Sequence, residues 1–173
     1  MRKIINKILE FFNLELIKKN VSGVIDKRNL TPFQSDNESY KLYYEGLIKS
    51  QNQDTDNFFK QCRHLDLMSL AKIALSNNKV SDFAEAGCWK GHSTYFISKL
   101  IDNYNSKNYN NIKFHIFDSF EGLSEIREKD SNIKKLNKNL VEKIKTQFIS
   151  DENFVKNEVL KDFKFVNIYK GWI

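Results

Sequence analysis

The chain has 173 residues, of which 40% are hydrophobic and 29% charged, and it carries a net charge of +6. A length of this order predicts one domain with a packed core, and 14 Phe with a single Pro exclude a disordered or collagen-like chain. The lysines are spread along the whole sequence instead of forming one arginine-rich patch, so we expect no nucleic-acid partner. No run approaches the roughly 18 apolar residues of a membrane span, and we expect a cytoplasmic protein.

The first 55 residues carry two patterns. Residues 2–19 are predicted to form an amphipathic helix, in which Ile4, Ile8 and Phe12 recur at helical spacing among basic residues. Such a helix lies on an anionic membrane surface or docks on protein, and we favour docking on the chain's own domain or on a partner. Residues 22–40 contain the only Pro and few apolar residues, which indicates a linker or a loop over the functional site.

The next pattern predicts a helix ahead of the first strand. Apolar residues occur at i, i+3, i+4, i+7 and i+8, and we expect this face to pack on the sheet as core: Leu67, Leu70, Ala71, Ala74 and Leu75.

The most informative segment runs from Glu85 to Ser93 and contains Gly87 and Gly91. Residues 80–86 are largely apolar or small and predict a strand, and apolar residues on one helical face follow the second glycine: Ile97, Leu100, Ile101 and Tyr104. In a strand, glycine turn and helix of this kind, the first glycine turns the chain, the second admits close backbone approach, and the helix N-terminus faces polar ligand atoms. His92 begins this helix, and we expect it to be a surface group rather than a base.

An acid follows the next strand. A short strand that ends at Asp118 is predicted by Ile112, Phe114, Ile116 and Phe117. A carboxylate at that position can accept both ribose hydroxyls of a nucleoside. The Asn-rich residues 102–111 are predicted to form an exposed connection that accounts for the spacing. The alternative is a tight strand-to-helix turn in which Asp118 only caps the next helix, since a short glycine pair is weak evidence by itself.

The C-terminal part continues the alternation of helix and strand. Leu136, Leu140, Ile144 and Phe148 recur every fourth residue, and Phe163, Phe165 and Ile168 then predict a strand leading to Lys170. The cysteines, Cys62 and Cys88, and the three histidines have no metal-ligand spacing, so we expect reduced thiols and no metal site.

The motifs resemble those of the macrocin O-methyltransferase family of class I S-adenosylmethionine-dependent methyltransferases. Glu85-x-Gly87-x-x-x-Gly91-x-Ser93 is similar to the family's first cofactor motif, and Asp118-Ser119-Phe120-Glu121-Gly122-Leu123 to its second. Lys170-Gly171-Trp172-Ile173 is similar to the segment that closes the third strand. The resemblance covers about residues 60–173, and residues 1–55 match no family.

The resemblance implies a role for each matching residue. Glu85, Gly87 and Ser93 are expected around the methionine part of the cofactor, Asp118 and Ser119 at the ribose, and Lys170, Gly171 and Trp172 beside the adenine. Gly91, the second glycine of the first motif, is also expected to be a cofactor-binding residue. It also implies S-adenosyl-L-methionine as cofactor and a divalent metal such as Mg²⁺, whose ligands in the family follow the Lys-Gly-Trp segment and are expected to be absent from this chain. We assign no catalytic residue.

The expected architecture is an α/β fold with a Rossmann-like class I methyltransferase sheet, truncated after its third strand. We divide the chain into an N-terminal helical extension and loop (1–55) and a partial cofactor-binding domain (56–173). In the family's strand order 3-2-1-4-5-7-6, strand 1 of this chain would lose its inner neighbour and expose an edge.

Two functions follow as hypotheses. The first is O-methylation of a hydroxyl on a small-molecule acceptor such as a sugar, with this chain supplying the cofactor-binding half. The second is an inactive interaction module that pairs with a companion chain or with another copy of itself. An NAD-type oxidoreductase is disfavoured, because the third glycine of its fingerprint is absent.

Overall fold

The computed structural model describes residues 14–16, 24–26, 36–77, 81–108, 111–124 and 138–172. A 3-10 turn, Gln53–Thr55, lies between the first two helices, and a π-helix, Val155–Val159, continues the last one. The helices and strands, in chain order, are β1 (Leu14–Leu16), β2 (Val24–Asp26), α1 (Asn37–Lys49), α2 (Phe58–Ser76), β3 (Asp82–Ala86), α3 (His92–Asn108), β4 (Lys113–Asp118), α4 (Lys138–Gln147), α5 (Glu152–Phe154) and β5 (Val166–Lys170).

The central sheet is parallel and has the order β3-β4-β5. Ala86 lies opposite Phe117, which lies opposite Tyr169, so the carboxyl ends of all three strands meet at one edge. Helix α3 connects β3 to β4, since parallel strands need a crossover connection of this kind. This arrangement confirms the predicted α/β class with a Rossmann-like sheet. Within the described residues β3 and β5 are its two edge strands.

The core lies on one face of this sheet. Phe114 and Ile116 of β4 are fully buried there, and they belong to the same cluster as Phe96 and Ile101 of α3. Side chains of an antiparallel or half-covered sheet alternate in burial, and β4 shows this alternation because only one of its faces is packed by described elements. The opposite face leaves Phe117 and Tyr169 partly exposed.

Helix α1 is part of the same core. Tyr43 and Leu47 are buried in it, although they precede the boundary predicted near residue 55. Asp36 caps this helix, since its carboxylate accepts hydrogen bonds from the backbone and side chain of Ser39. Those bonds, together with Lys72, lower the pKa of Asp36 to about 2.

The buried face of helix α2 differs from the predicted one. Its buried apolar residues are Met68, Ala71 and Leu75, whereas Leu67 and Leu70 are exposed, Leu70 by 64%. The helix packs against α1 and α3. A helix presents several rows of apolar residues at nearly the same spacing, and the position of its neighbours selects which row is buried.

Two other elements differ from the predictions. Helix α3 continues to Asn108, so most of the predicted connection 102–111 is helical, and Asn105 ties its last turns to Ile112 through two hydrogen bonds. Leu14–Leu16 is a strand paired antiparallel with Val24–Asp26, so the predicted helix 2–19 is wrong for these three residues. The predicted loop 22–40 is likewise wrong at Val24–Asp26, which form the partner strand, and at residues 37–40, which begin α1. The rest of the predicted helix, and residues 22–23 and 27–35 of the predicted loop, lie outside the described residues.

His92 also differs from the prediction of a surface group, because it is only 4% exposed. Its Nε2 donates to the carbonyl O of Tyr43 over 2.9 Å, since a carbonyl can only accept. Its ring lies 4.5 Å from the ring of His64, centroid to centroid. The cluster joins α1, α2 and α3, and burial lowers the pKa of His64 to about 4 and that of His92 to about 3.

Candidate functional site

A cavity of about 390 Å³ opens at the carboxyl ends of the three parallel strands. Open α/β sheets bind their ligands at this edge, where the loops that leave neighbouring strands diverge. The lining comes from four segments: Ala86, Gly87 and Trp89 at and after the end of β3; Phe117, Asp118, Ser119, Gly122 and Leu123 at and after the end of β4; Phe148 after α4; Gly171 and Trp172 after β5.

Five of the nine residues predicted for the cofactor lie in this lining: Gly87, Asp118, Ser119, Gly171 and Trp172. They come from three segments that are far apart in sequence, and the parallel sheet brings them together. The other four, Glu85, Gly91, Ser93 and Lys170, do not line the cavity. Their assignment to cofactor binding stays a prediction.

Asp118 shapes the cavity as well as lining it. Its Oδ2 accepts hydrogen bonds from the backbone N–H of Cys88 and of Trp89, at 2.7 and 2.8 Å. Its Oδ1 accepts from the backbone N–H of Phe120 at 2.7 Å. A carboxylate offers about four lone-pair positions, so Oδ1 can accept one further donor from a ligand.

The two glycines of the turn have different surroundings. Gly87 has φ +82°, which other residues rarely adopt, and a Cβ added to it would meet nothing within 4 Å, so the backbone there is open to the cavity. A Cβ on Gly91 would lie 3.3 Å from side-chain atoms of Val155 and Val159. Gly91 thus permits the π-helix to pack closely on the start of α3.

Glu85 lies beneath the turn, on the side of α3. Its carboxylate accepts hydrogen bonds from the hydroxyls of Ser93 at 2.5 Å and Thr94 at 2.6 Å. Burial raises the pKa of Glu85, the two hydroxyls oppose the rise, and the negative charge of Asp118 adds to it. The pair of hydroxyls fixes the first turn of α3 to the end of β3.

Cys88 is buried within the turn. Burial raises the pKa of its thiol, and the charges of Asp118 and Glu85 raise it further, so the thiol stays protonated. Cys62 and Cys88 are both free.

Aromatic side chains form walls of the cavity, and apart from Trp172 the sequence patterns did not indicate this role. The ring of Trp89 meets that of Phe148 edge to face at 5.8 Å, and Phe117 stacks on Tyr169 at 5.0 Å. The Nε1 atom of Trp89 is buried without a hydrogen-bond partner among the described residues. Phe117 directly precedes the predicted acid, which is the one signal that could have placed it here. Apolar walls with a few polar groups at one end are typical of sites for small organic ligands.

The described segments contain neither a candidate metal site nor a helix that could span a membrane. No group of three or more His, Cys, Asp and Glu side chains in them is placed to hold a metal ion. None of the helices in these segments has the length and apolar character needed to cross a membrane.

Comparison with known proteins bears on the same segments. Residues 59–173, more than half of the chain, match the family described as Macrocin-O-methyltransferase (TylF). The match covers all three parallel strands and every segment of the cavity. A search of curated proteins finds no match.

Proposed function

The chain belongs to the macrocin-O-methyltransferase family, and on that premise we propose that its cavity binds S-adenosylmethionine for methyl transfer to a hydroxyl of a small molecule such as a sugar. The observation that carries the proposal is the convergence of Gly87, Asp118 and Gly171 at one cavity. These residues come from the three segments that match the family's cofactor motifs.

The lining fits a nucleoside in both size and chemistry. The volume of about 390 Å³ is within the usual range for small-molecule sites. The free lone pair of Asp118 Oδ1 can accept a ribose hydroxyl, and the buried Ser119 hydroxyl lies beside it in sequence. The rings of Trp89, Phe117 and Trp172 supply flat apolar surface for the base.

The role of this chain's residues is to bind and orient. The cofactor supplies the activated methyl group, and the reaction then requires the acceptor oxygen, the methyl carbon and the sulfur to lie in line. Residues of the turn after β3 fix the position of the cofactor, because Asp118 holds that turn in one conformation. With a ligand bound, the rings of Trp89, Phe117 and Trp172 would cover part of it and exclude water from that side.

One observation favours a second candidate, an interaction module. Strand β3 pairs only with β4 among the described residues, and its Ala84 and Ala86 are exposed. Parallel strands are normally covered and paired on both sides, so such an edge is suited to pairing with another chain.

Calorimetric titration with S-adenosylmethionine and S-adenosylhomocysteine tests the first candidate. Leu123 lines the cavity and Leu140 on α4 does not, and the two are almost equally exposed, at 46% and 44%. Leu123→Arg should weaken binding by at least about tenfold because a long charged side chain fills the cavity. Leu140→Arg should leave binding unchanged. Absence of binding by the unmodified chain at millimolar ligand would overturn the proposal and favour the interaction module.

A further inference from the structure

A second cavity, of about 560 Å³, lies along the outer edge of β5, away from the glycine turn. We call it the edge groove. Its lining includes Lys156 of the π-helix, Lys161, Lys164, Glu152 of α5, and Ile168 of β5. None of the nine predicted cofactor residues lines it.

The edge groove is basic. The side chains of Lys156, Lys161 and Lys164 are exposed, and the acidic lining residue, Glu152, has its Oε2 3.9 Å from Lys170 Nζ. The three lysines therefore outnumber the one carboxylate of the lining, and the charge of that carboxylate is already balanced by Lys170. Buried and half-buried apolar side chains, Leu160, Phe163 and Ile168, lie below these charges. A ligand for this groove should be acidic along one side and apolar along the other.

The backbone of β5 gives the edge groove a direction. The carbonyl O of Phe165 accepts from Phe114 N–H, and Gly171 N–H donates to Asp118 O, so residues 165 and 171 face β4. Backbone groups of successive residues in a strand alternate in direction, so the N–H and C=O of Ile168 and Lys170 point away from β4. Within the described segments β5 pairs along one side only.

We propose that the edge groove binds an extended acidic segment of another protein as an added strand beside β5. Strand addition supplies main-chain hydrogen bonds, and alternate side chains of the segment would reach the lysines and the apolar floor. A second copy of this chain fits less well, because its own β5 would bring Lys164 and Lys170 against the same lysines and the whole chain carries a net charge of +6. This inference is independent of cofactor binding.

Fluorescence polarisation with a labelled peptide tests the proposal on the full chain. The probe is a peptide of about seven alternating Glu and Val residues, long enough to span β5 at roughly 3.3 Å per residue. We expect binding that weakens as salt is raised, since exposed charge pairs are screened. The same peptide with alternate backbone nitrogens methylated should not bind, because it cannot pair with Ile168 and Lys170.

Charge-reversed variants complete the test. The double variant Lys161→Glu, Lys164→Glu should weaken peptide binding by at least about tenfold. The matched double variant Lys41→Glu, Lys107→Glu makes the same change in net charge on exposed sites of α1 and α3, and it should bind as the unmodified chain does. Circular dichroism would establish that all variants fold alike. Equal binding by the methylated peptide, equal binding by both double variants, or no binding of the acidic peptide would each overturn the proposal.

Discussion

Asp118 Oδ2 accepts a hydrogen bond of 2.8 Å from the backbone N–H of Trp89, which lies 29 residues earlier in the chain. The acid at the end of β4 thereby fixes the turn that follows β3. Trp89 has φ +49°, a conformation that costs free energy and persists where surrounding contacts stabilise it. The same carboxylate that lines the cavity is therefore needed to build it.

Asp118→Ala should impair both folding and ligand binding. The substitution leaves three backbone N–H donors without their acceptor, and each unsatisfied buried donor costs about 1–3 kcal/mol. We expect S-adenosylhomocysteine to bind at least about tenfold more weakly in calorimetry. Asp82→Ala is the matched control, because Asp82 accepts a hydrogen bond from Lys113 N–H at the opposite end of the same two strands. Equal losses of affinity in the two variants would contradict a specific role for Asp118.

Gly122→Ala should destabilise the chain more than Gly87→Ala does. Both glycines have positive φ, so both substitutions incur roughly 1–2 kcal/mol of backbone strain. At Gly122, however, an added Cβ would overlap the carbonyl O of Lys145 at the end of α4, and we expect about 1–3 kcal/mol of further destabilisation. Urea unfolding of the two variants measures this difference. Equal free energies of unfolding would show that α4 can shift away at no cost.

Glu85→Gln should flatten the dependence of stability on pH. Since the pKa of Glu85 is raised in the folded chain, the folded state binds its proton more readily than the unfolded state does. Its contribution to stability is present below the unfolded pKa and is lost as the pH rises through the folded pKa. Gln keeps the shape and can still bond the hydroxyls of Ser93 and Thr94, so the variant should be at least as stable as the unmodified chain at pH 8.

The measurement for Glu85 is urea unfolding at a series of pH values from 5 upward. Glu85→Ala is the comparison, because it removes both acceptors of the Ser93 and Thr94 hydroxyls and should be less stable at every pH. A Glu85→Gln variant that loses as much stability as Glu85→Ala would show that the negative charge itself stabilises the fold.

His64→Phe should reduce the loss of stability in acid. Burial, aided by the charges of Lys60 and Arg63, lowers the pKa of His64 to about 4, although the hydrogen bond with the Lys60 backbone and the charge of Asp56 oppose the shift. Between the unfolded pKa of roughly 6.5 and this value the unfolded state binds more protons, so stability falls as the pH falls. Phe can occupy the same place among the rings of Tyr43, His92 and Phe96.

The slope of unfolding free energy against pH measures this effect. His64→Phe should have a shallower slope than the unmodified chain between about pH 6.5 and pH 4. Because the pKa of Asp36 is lowered, its protonation changes the free energy of unfolding only below about pH 4, and this change can be separated from that of His64. An unchanged slope would mean that His64 takes up its proton in the folded chain without cost.

The amino-acid sequence by itself determined the three strands of the parallel sheet and the glycine turn, and the family resemblance implied the order of those strands. Alternation in β4, the apolar face of α3 and the glycine at the end of β3 are local patterns, and backbone geometry converts each into one structure. The sequence also predicted that the motifs after β3, β4 and β5 form one site, because parallel strands place their carboxyl ends side by side.

Only the tertiary structure decided which surfaces are covered and what each side chain touches. Met68 and Leu70 belong to the same helix, and the positions of α1 and α3 leave Met68 buried and Leu70 exposed. His92 is buried against α1, where it hydrogen-bonds to the carbonyl of Tyr43. Gly91 allows close packing because the side chains of Val155 and Val159 lie beside it. Periodicity along a chain specifies a face of each element, but contacts between residues distant in sequence depend on how all the elements pack together.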